Sequence, residues 1–209
     1  GVSVGPDGGT HQAVEDIAIM RVIPRMTVIS PCDAIEAKKA TLALAELSGP
    51  AYLRLAREKT PIITTEDTPF HIGRAEVFYR PEKTHSKKVG IIATGSLVYN
   101  AIRTARELES DGIGVTVLNV STIKPIDRTA IVSLAKENGA IVTVEEHQVA
   151  GGLGSAVSEV LAEEFPIPLR FIGVRDVFGQ SGTPNELIEH YGMGISHIKD
   201  AVRKIVRPS

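Results

Sequence analysis

The sequence predicts an α/β protein built of two three-layer α/β/α units with mainly parallel sheets. Short apolar runs bounded by Gly, Pro and polar residues alternate with stretches of helical period along nearly the whole chain. A helix divides each run from the next, and a helical crossover is what a parallel strand pair requires. The charged stretch 80–88 (RPEKTHSKK) has no apolar residue and splits the series in two.

In the first unit, residues 2–4 read as the tail of a strand feeding a Gly/Pro-rich loop, 5–11. Thr10 is placed to cap a helix over 12–21, whose apolar face is Val14, Ile17, Ala18 and Met20. Pro24 ends that helix, and the apolar run 26–29 is a buried strand. Asp33 is the expected cap of a second helix, 34–47, which Ser48-Gly49-Pro50 stops. Residues 51–55 form a further strand, so the pattern is strand, helix, strand, helix, strand, with parallel pairing. A polar connection, 58–68, carries Ile62 and Ile63, and 72–79 alternates as an edge or inter-domain strand.

The second unit repeats the scheme as a small doubly wound domain. Its strands are 89–93, 115–120, 140–144 and 169–174, and its helices are 97–110, 128–136 and 156–163. Residues 122–127 form a turn, Pro184-Asn185 opens a short helix, and 196–206 is a last helix with Ile198, Ala201, Val202 and Ile205 on one face.

The composition narrows the function. The chain has 209 residues, 43% of them hydrophobic, which is enough for one large or two small domains. A formal net charge of −2 argues against a nucleic-acid binder, which needs a basic surface. Cys32 is the one cysteine, so neither a disulfide framework nor a thiolate cluster is expected. No apolar run approaches the roughly 18 residues of a membrane span. No signal peptide opens the chain, and a reducing, cytoplasmic setting is the expectation. The chain starts at Gly1 without an initiating Met and reaches its most polar loop at once, which suggests part of a longer protein or a processed terminus.

That loop is the leading candidate site. It gathers Asp7, Thr10 and His11 at a helix start, a common place to handle anions or polar substrates. Arg54 and Arg57 lie near the carboxyl end of a strand, where open α/β sheets collect ligands, and Asp7 and His11 share that rim with Arg57. An imidazole can transfer a proton near neutral pH, and an arginine can clamp a phosphate or carboxylate. The same loop also reads as an ordinary capped turn, and Arg57 as a solvated surface arginine.

Other constellations are weaker. Thr94-Gly95-Ser96 lacks the three glycines of a dinucleotide fingerprint, and no P-loop or G-x-S-x-G elbow occurs. The glycines of Gly151-Gly152-Leu153-Gly154 are better explained by close helix packing than by nucleotide binding. Glu145, Glu146 and His147 are adjacent on extended backbone and point apart, so a structural role at a domain or subunit contact is expected rather than a metal site. His190 and His197 read as surface or packing residues, and Cys32 as an inert thiol.

Gly5-Pro6-Asp7-Gly8-Gly9-Thr10-His11-Gln12, followed by Glu15-Asp16 and Arg21, resembles the G-x-D-G-P-T-H-Q segment of transketolases, with Gly9 in place of the proline. Leu55-Ala56-Arg57 is similar to the segment carrying that family's sugar-phosphate arginine. Thr122-Ile123-Lys124-Pro125-Ile126-Asp127 and Val144-Glu145-Glu146-His147, with Gly151-Gly152-Leu153-Gly154, resemble its C-terminal domain. Deoxyxylulose-phosphate synthases and the β subunits of 2-oxoacid dehydrogenases share the architecture. The His11-Gln12 pair and the Lys124-Pro125-Ile126-Asp127 turn lean towards transketolase.

The resemblance implies part of a pyrimidine-binding domain over 1–68, a linker with a strand over 69–86, and a C-terminal domain over 87–209. It implies transfer of a two-carbon ketol unit between phosphorylated sugars, using thiamine diphosphate and Mg²⁺ or Ca²⁺. His11 would be catalytic and, with Asp7, would contact the hydroxyl and carbonyl region of the sugar, while Arg57 would bind the acceptor phosphate. The family's diphosphate and metal sit on a separate N-terminal domain, so this chain is expected to bind no cofactor or metal by itself. A second copy, or the section carrying the diphosphate domain, is the implied partner, with no nucleic acid and no membrane. The competing reading is a non-catalytic dimerisation module of the same fold.

Overall fold

The computed structural model describes residues 1–206, so residues 207–209 of the expected C-terminal domain lie outside it. The fold is α/β, with mixed parallel and antiparallel sheets. No helix among the described residues is long and apolar enough to cross a membrane.

Val2–Val4 is a turn of 3₁₀-helix, not a strand tail, and Val2 is fully buried. Helix α1 is Asp16–Val22, starting four residues later than its periodicity predicts. The intervening residues are held in turns: the amides of Gly5, Gly8 and His11 donate to the carbonyls of Val2, Gly5 and Gly8. Those local bonds outcompete the helix, and Thr10 caps nothing; its hydroxyl pairs instead with His11 Nδ1 at 2.9 Å.

Strand β1 (Thr27–Ile29) is followed by α2 (Ala34–Ala45) and β2 (Ala51–Leu53). Asp33 caps α2 as expected, accepting from Glu36 N at 2.9 Å. It also takes the amides of Ile63 and Thr64 at 2.8 and 2.7 Å and the Thr64 hydroxyl at 2.7 Å, which fastens the 58–68 connection to the helix start. Burial raises the Asp33 carboxyl, but these hydrogen bonds outweigh it and hold the group below the usual range.

β1 pairs in parallel with β2. Its other neighbour is antiparallel and comes from the distant segment β6 (Thr122–Lys124), which the sequence pattern gives as a turn. This first sheet has the order β2-β1-β6. The second sheet is made of β3 (Glu76–Tyr79), β4 (Lys87–Ala93), β5 (Ile113–Asn119), β7 (Ile141–Gln148) and β8 (Leu169–Val174). Its order is β3-β5-β4-β7-β8; β3 alone is antiparallel, on the β5 edge.

Alternation along β4 divides the core. Val89, Ile91 and Ala93 enter one apolar cluster with residues of α3 (Val98–Ser110) and α7 (Ile195–Val206). Ile92 enters the other, with α4 (Arg128–Asn138) and α5 (Leu153–Glu164). Ile17 of α1 and Val28 of β1 join this second cluster, so the first sheet shares a core with α4 and α5 of the second. Gly139 ends α4 at φ 73°, a left-handed cap in which its amide reaches Ala135 O at 2.8 Å. α6 (Pro184–His190) is short and opens with a Thr183–Glu186 capping box.

Candidate active site

The residues that follow β1, β2 and β4, and Glu146 near the end of β7, surround one cavity of about 330 Å³. This is where α/β sheets place their ligands. Ser30 and Pro31 follow β1, Arg54 and Arg57 follow β2, and Thr94 and Ser96 follow β4. The two halves of the rim are bonded together: Thr94 Oγ1 and Gly95 N both donate to Ser30 O at 3.2 Å.

His11 and Arg57 line the cavity, and Asp7 joins them through an ion pair with Arg57. His11 and Arg57 therefore share one mouth, and Asp7 sits outside the lining, against Arg57. His11 Nδ1 is taken by the Thr10 hydroxyl, and Nε2 has no protein partner among the described residues. The Arg57 side chain is 55% exposed and that of Asp7 32%, so this pair is solvated and weak.

Beneath it lies a stronger pair that sequence reasoning missed. Arg54 Nε donates to Asp16 Oδ2 at 2.8 Å and Nη2 to Asp16 Oδ1 at 3.2 Å. Nη2 also reaches the carbonyls of Ala13 at 2.9 Å and Glu146 at 3.0 Å. The Tyr52 hydroxyl completes the set, 2.7 Å from Asp16 Oδ2. Burial raises the Asp16 carboxyl, but the charge and hydrogen bonds of Arg54 outweigh it and hold the group below the usual range. Burial and the bond to Asp16 together push the Tyr52 hydroxyl up to about 12. One signal was available in the sequence: Tyr52 and Arg54 stand two apart on a strand and share a face.

Glu146 forms the floor, accepting from Ser3 N at 2.6 Å and Ser96 Oγ at 2.9 Å. Its neighbours turn elsewhere, as alternation demands. Glu145 is fully buried and caps α5, taking the amides of Leu153 at 2.6 Å and Gly154 at 2.8 Å. His147 Nε2 accepts from Ala18 N at 3.3 Å, and its Nδ1 lies 2.7 Å from Gln148 O. Only the bond from Ala18 joins distant segments. Gly154 packs closely, since a Cβ there would lie 2.5 Å from the Phe171 ring. His190 and His197 are exposed. Cys32 is buried, and desolvation with Glu36 nearby pushes its thiol far up, which leaves it inert.

Gly9, in place of the proline, has a packing reason. A Cβ there would stand 2.8 Å from the carbonyl oxygen of Gly179, in the segment after β8. Backbone occupies the space that a larger residue needs.

With Arg54 spent on Asp16 and two carbonyls, the cavity presents the solvated Arg57 guanidinium and an imidazole, a donor set for an oxygen-rich anion. It does not suit a metal–diphosphate group. Its carboxylates, Asp16 and Glu146, are already committed to protein donors. No group of three His, Cys, Asp or Glu among the described residues is placed to hold a metal ion.

Two sheets that join their rims around such a cavity define an α/β protein with one polar candidate site. Residues 1–62 match the model of the transketolase pyrimidine-binding domain, and residues 80–198 match that of the transketolase C-terminal domain. The chain belongs to the transketolase family. It is 40% identical to the 6-deoxy-6-sulfo-D-fructose transketolase subunit SqwH of a Clostridium species over 98% of its own length. It is 38% identical to an apulose-4-phosphate transketolase subunit of Phocaeicola vulgatus over 92% of its length. The chain spans 62% and 60% of the length of these two curated relatives. A solved structure described as a split gene transketolase, inactive beta4 tetramer, superposes with a TM-score of 0.88 at 44% identity. That match covers 95% of this chain and 63% of the solved one.

Proposed function

We propose that the chain is the C-terminal section or subunit of a transketolase, supplying the substrate wall of a site that transfers a two-carbon ketol unit between phosphorylated sugars. His11 and Arg57 at one cavity, with Asp7 paired to Arg57, in a chain of this family, carry the reading. The division into layered units at 1–68, 69–86 and 87–209 belongs to the same proposal, as does a cytoplasmic setting.

Arg57 clamps the anionic end of the sugar. Asp7 engages one of its terminal nitrogens and leaves the rest of the fork for a phosphate. His11, with Nε2 open, holds or moves a proton at the sugar's hydroxyl and carbonyl region. Arg54, neutralised by Asp16, acts as a brace whose bonds tie the Ala13 backbone to β7 beneath the site. Family membership implies thiamine diphosphate with Mg²⁺ or Ca²⁺ in the complete enzyme, whose chemistry is the cofactor's own. The residues here do not fit that group, so the partner is a section or subunit that carries the diphosphate, or a second copy within such an assembly. The names of the two curated relatives both specify anionic sugars, which supports the substrate class.

The test is Arg57→Ala in the assembled enzyme. A lost phosphate clamp raises KM for phosphorylated acceptors, by about tenfold or more, with little loss of fold. An unchanged KM favours a chain that mainly provides a contact surface.

A further inference from the structure

The loop that carries Asp7 and His11 has its own local turns, but these alone do not fix it against the rest of the molecule. It is held by the segment after β8, some 170 residues away (residue 180 against residue 12). Gln12 makes the connection. It is buried, and its Nε2 faces three carbonyls: Val2 at 2.9 Å, Gln180 at 3.0 Å and Gly5 at 3.4 Å. Its Oε1 is buried without a partner, packed where a side chain on Gly179 would be: a Cβ there would stand 1.8 Å away. Gly9 rests on the Gly179 carbonyl, and Gly8 lies against Ser181, where a Cβ would come within 2.7 Å of Oγ. Gly5 meets the Pro184 ring, at 3.3 Å from a built Cβ.

The clamping segment is itself anchored. Gln148 on β7 donates from Nε2 to Val177 O and accepts from Asp176 N, both at 2.9 Å. The Tyr191 hydroxyl donates to Phe178 O at 3.0 Å, and the Thr183–Glu186 capping box fixes the far end on α6. The second sheet is thus linked at β7, through residues 179–182 and the Gln12 amide, to the loop that carries His11 and Asp7.

We propose that residues 179–182 are the positioning element of the His11 loop, and that Gln12 is the positioning residue through which they act. The proposal rests on the reading of His11 and Asp7 as substrate contacts. Neither Gln12 nor the clamping residues need touch the substrate; they set where His11 Nε2 and Asp7 stand. Placement of this kind matters because an ångström of misplacement costs on the order of 10²-fold in rate.

Two variants test it. Gly179→Ala drives its methyl into the Gln12 amide and forces that amide off its carbonyls. Gln12→Met keeps the volume and removes the donors, so it preserves the fold if the first variant does not. Hydrogen–deuterium exchange on the 209-residue chain reads the clamp. Exchange over residues 5–11 should rise by about tenfold or more, while β4 and β7 peptides stay protected. Steady-state kinetics of the enzyme assembled with its diphosphate-binding section read the positioning: kcat should fall about tenfold or more, and KM for the phosphorylated acceptor should move by less than about threefold. Unchanged exchange over 5–11 in both variants overturns the clamp. Raised exchange with kcat unchanged overturns the catalytic role. If the assembled wild-type protein shows no ketol transfer, the proposed function fails instead, and exchange alone decides the clamp.

Discussion

Replacing Arg54 by Leu should destabilise the fold far more than replacing Arg57 by Leu, although the two arginines stand three positions apart on the same rim. Arg54 and Asp16 are 13% and 11% exposed, and the guanidinium serves a carboxylate and two carbonyls. Removing it strands a buried charge and two buried acceptors, which costs about 3–5 kcal/mol. For a domain of this size that is a fall in Tm of roughly 10 °C. Arg57 is mostly solvated, and its loss should cost less than about 1 kcal/mol. The double variant Asp16→Leu/Arg54→Leu should recover much of the single loss, since no lone charge remains. Acid provides an independent check. The folded Asp16 carboxyl is held below its unfolded value, so its contribution is present above the ordinary carboxylate range and is lost as pH falls through the folded pKa. The gap between wild type and Arg54→Leu should therefore narrow in acid. Urea unfolding followed by circular dichroism, at neutral pH and at about pH 2–3, measures both effects. A loss below about 1 kcal/mol, or one no larger than that of Arg57→Leu, would refute the reasoning.

Glu145 should give stability the opposite dependence on pH. Burial pushes its carboxyl from 4.5 up to about 8, against the amides of Gly154 and Leu153. A raised folded pKa means that this contribution is complete below the unfolded value and fades as pH rises through about 8. Glu145→Gln should therefore gain on wild type between about pH 5 and pH 8, at up to about 1.4 kcal/mol per pH unit; a constant difference across that range excludes the effect. Titrating the chain alone with thiamine diphosphate and Mg²⁺ in a calorimeter should show no micromolar binding, because the cavity carboxylates are already engaged. Binding at micromolar affinity or tighter would show that these residues accommodate the cofactor after all.

Local chemistry made much of this legible in the sequence. Asp33 capped its helix because a short carboxylate before an Ala-rich run has donors to accept from. Arg57 follows a strand end, as the pattern suggests, but the Asp7–His11 loop reaches it without the preceding strand or the helix start that the pattern also suggests. What remained hidden depends on long-range pairing. Thr122–Lys124 reads as a turn until β1 supplies an antiparallel partner. Residues 12–15 have helical periodicity, yet Gln12 is spent on the carbonyls of Val2 and Gln180. Glu36 reads as an ordinary helix glutamate. Only the fold shows it buried, taking Cys32 N and Asn119 Nδ2 at 2.7 Å and Ser121 Oγ at 3.0 Å, and so pinning α2 to the end of β5. Gly9 was visible as a departure, but its cause lies in Gly179, on a segment that no local pattern connects to it.

The central claim is that this chain supplies the substrate wall of a ketol-transfer site whose cofactor wall lies elsewhere. Its most direct test is ketol transfer from xylulose 5-phosphate to ribose 5-phosphate, with thiamine diphosphate and Mg²⁺ present. It is measured for the chain alone, for the chain with the diphosphate-binding section, and for the same assembly carrying His11→Ala. The account predicts turnover only in the second, falling by about 10²-fold or more in the third. Turnover by the chain alone, no turnover in the assembly, or full activity with His11→Ala would contradict it.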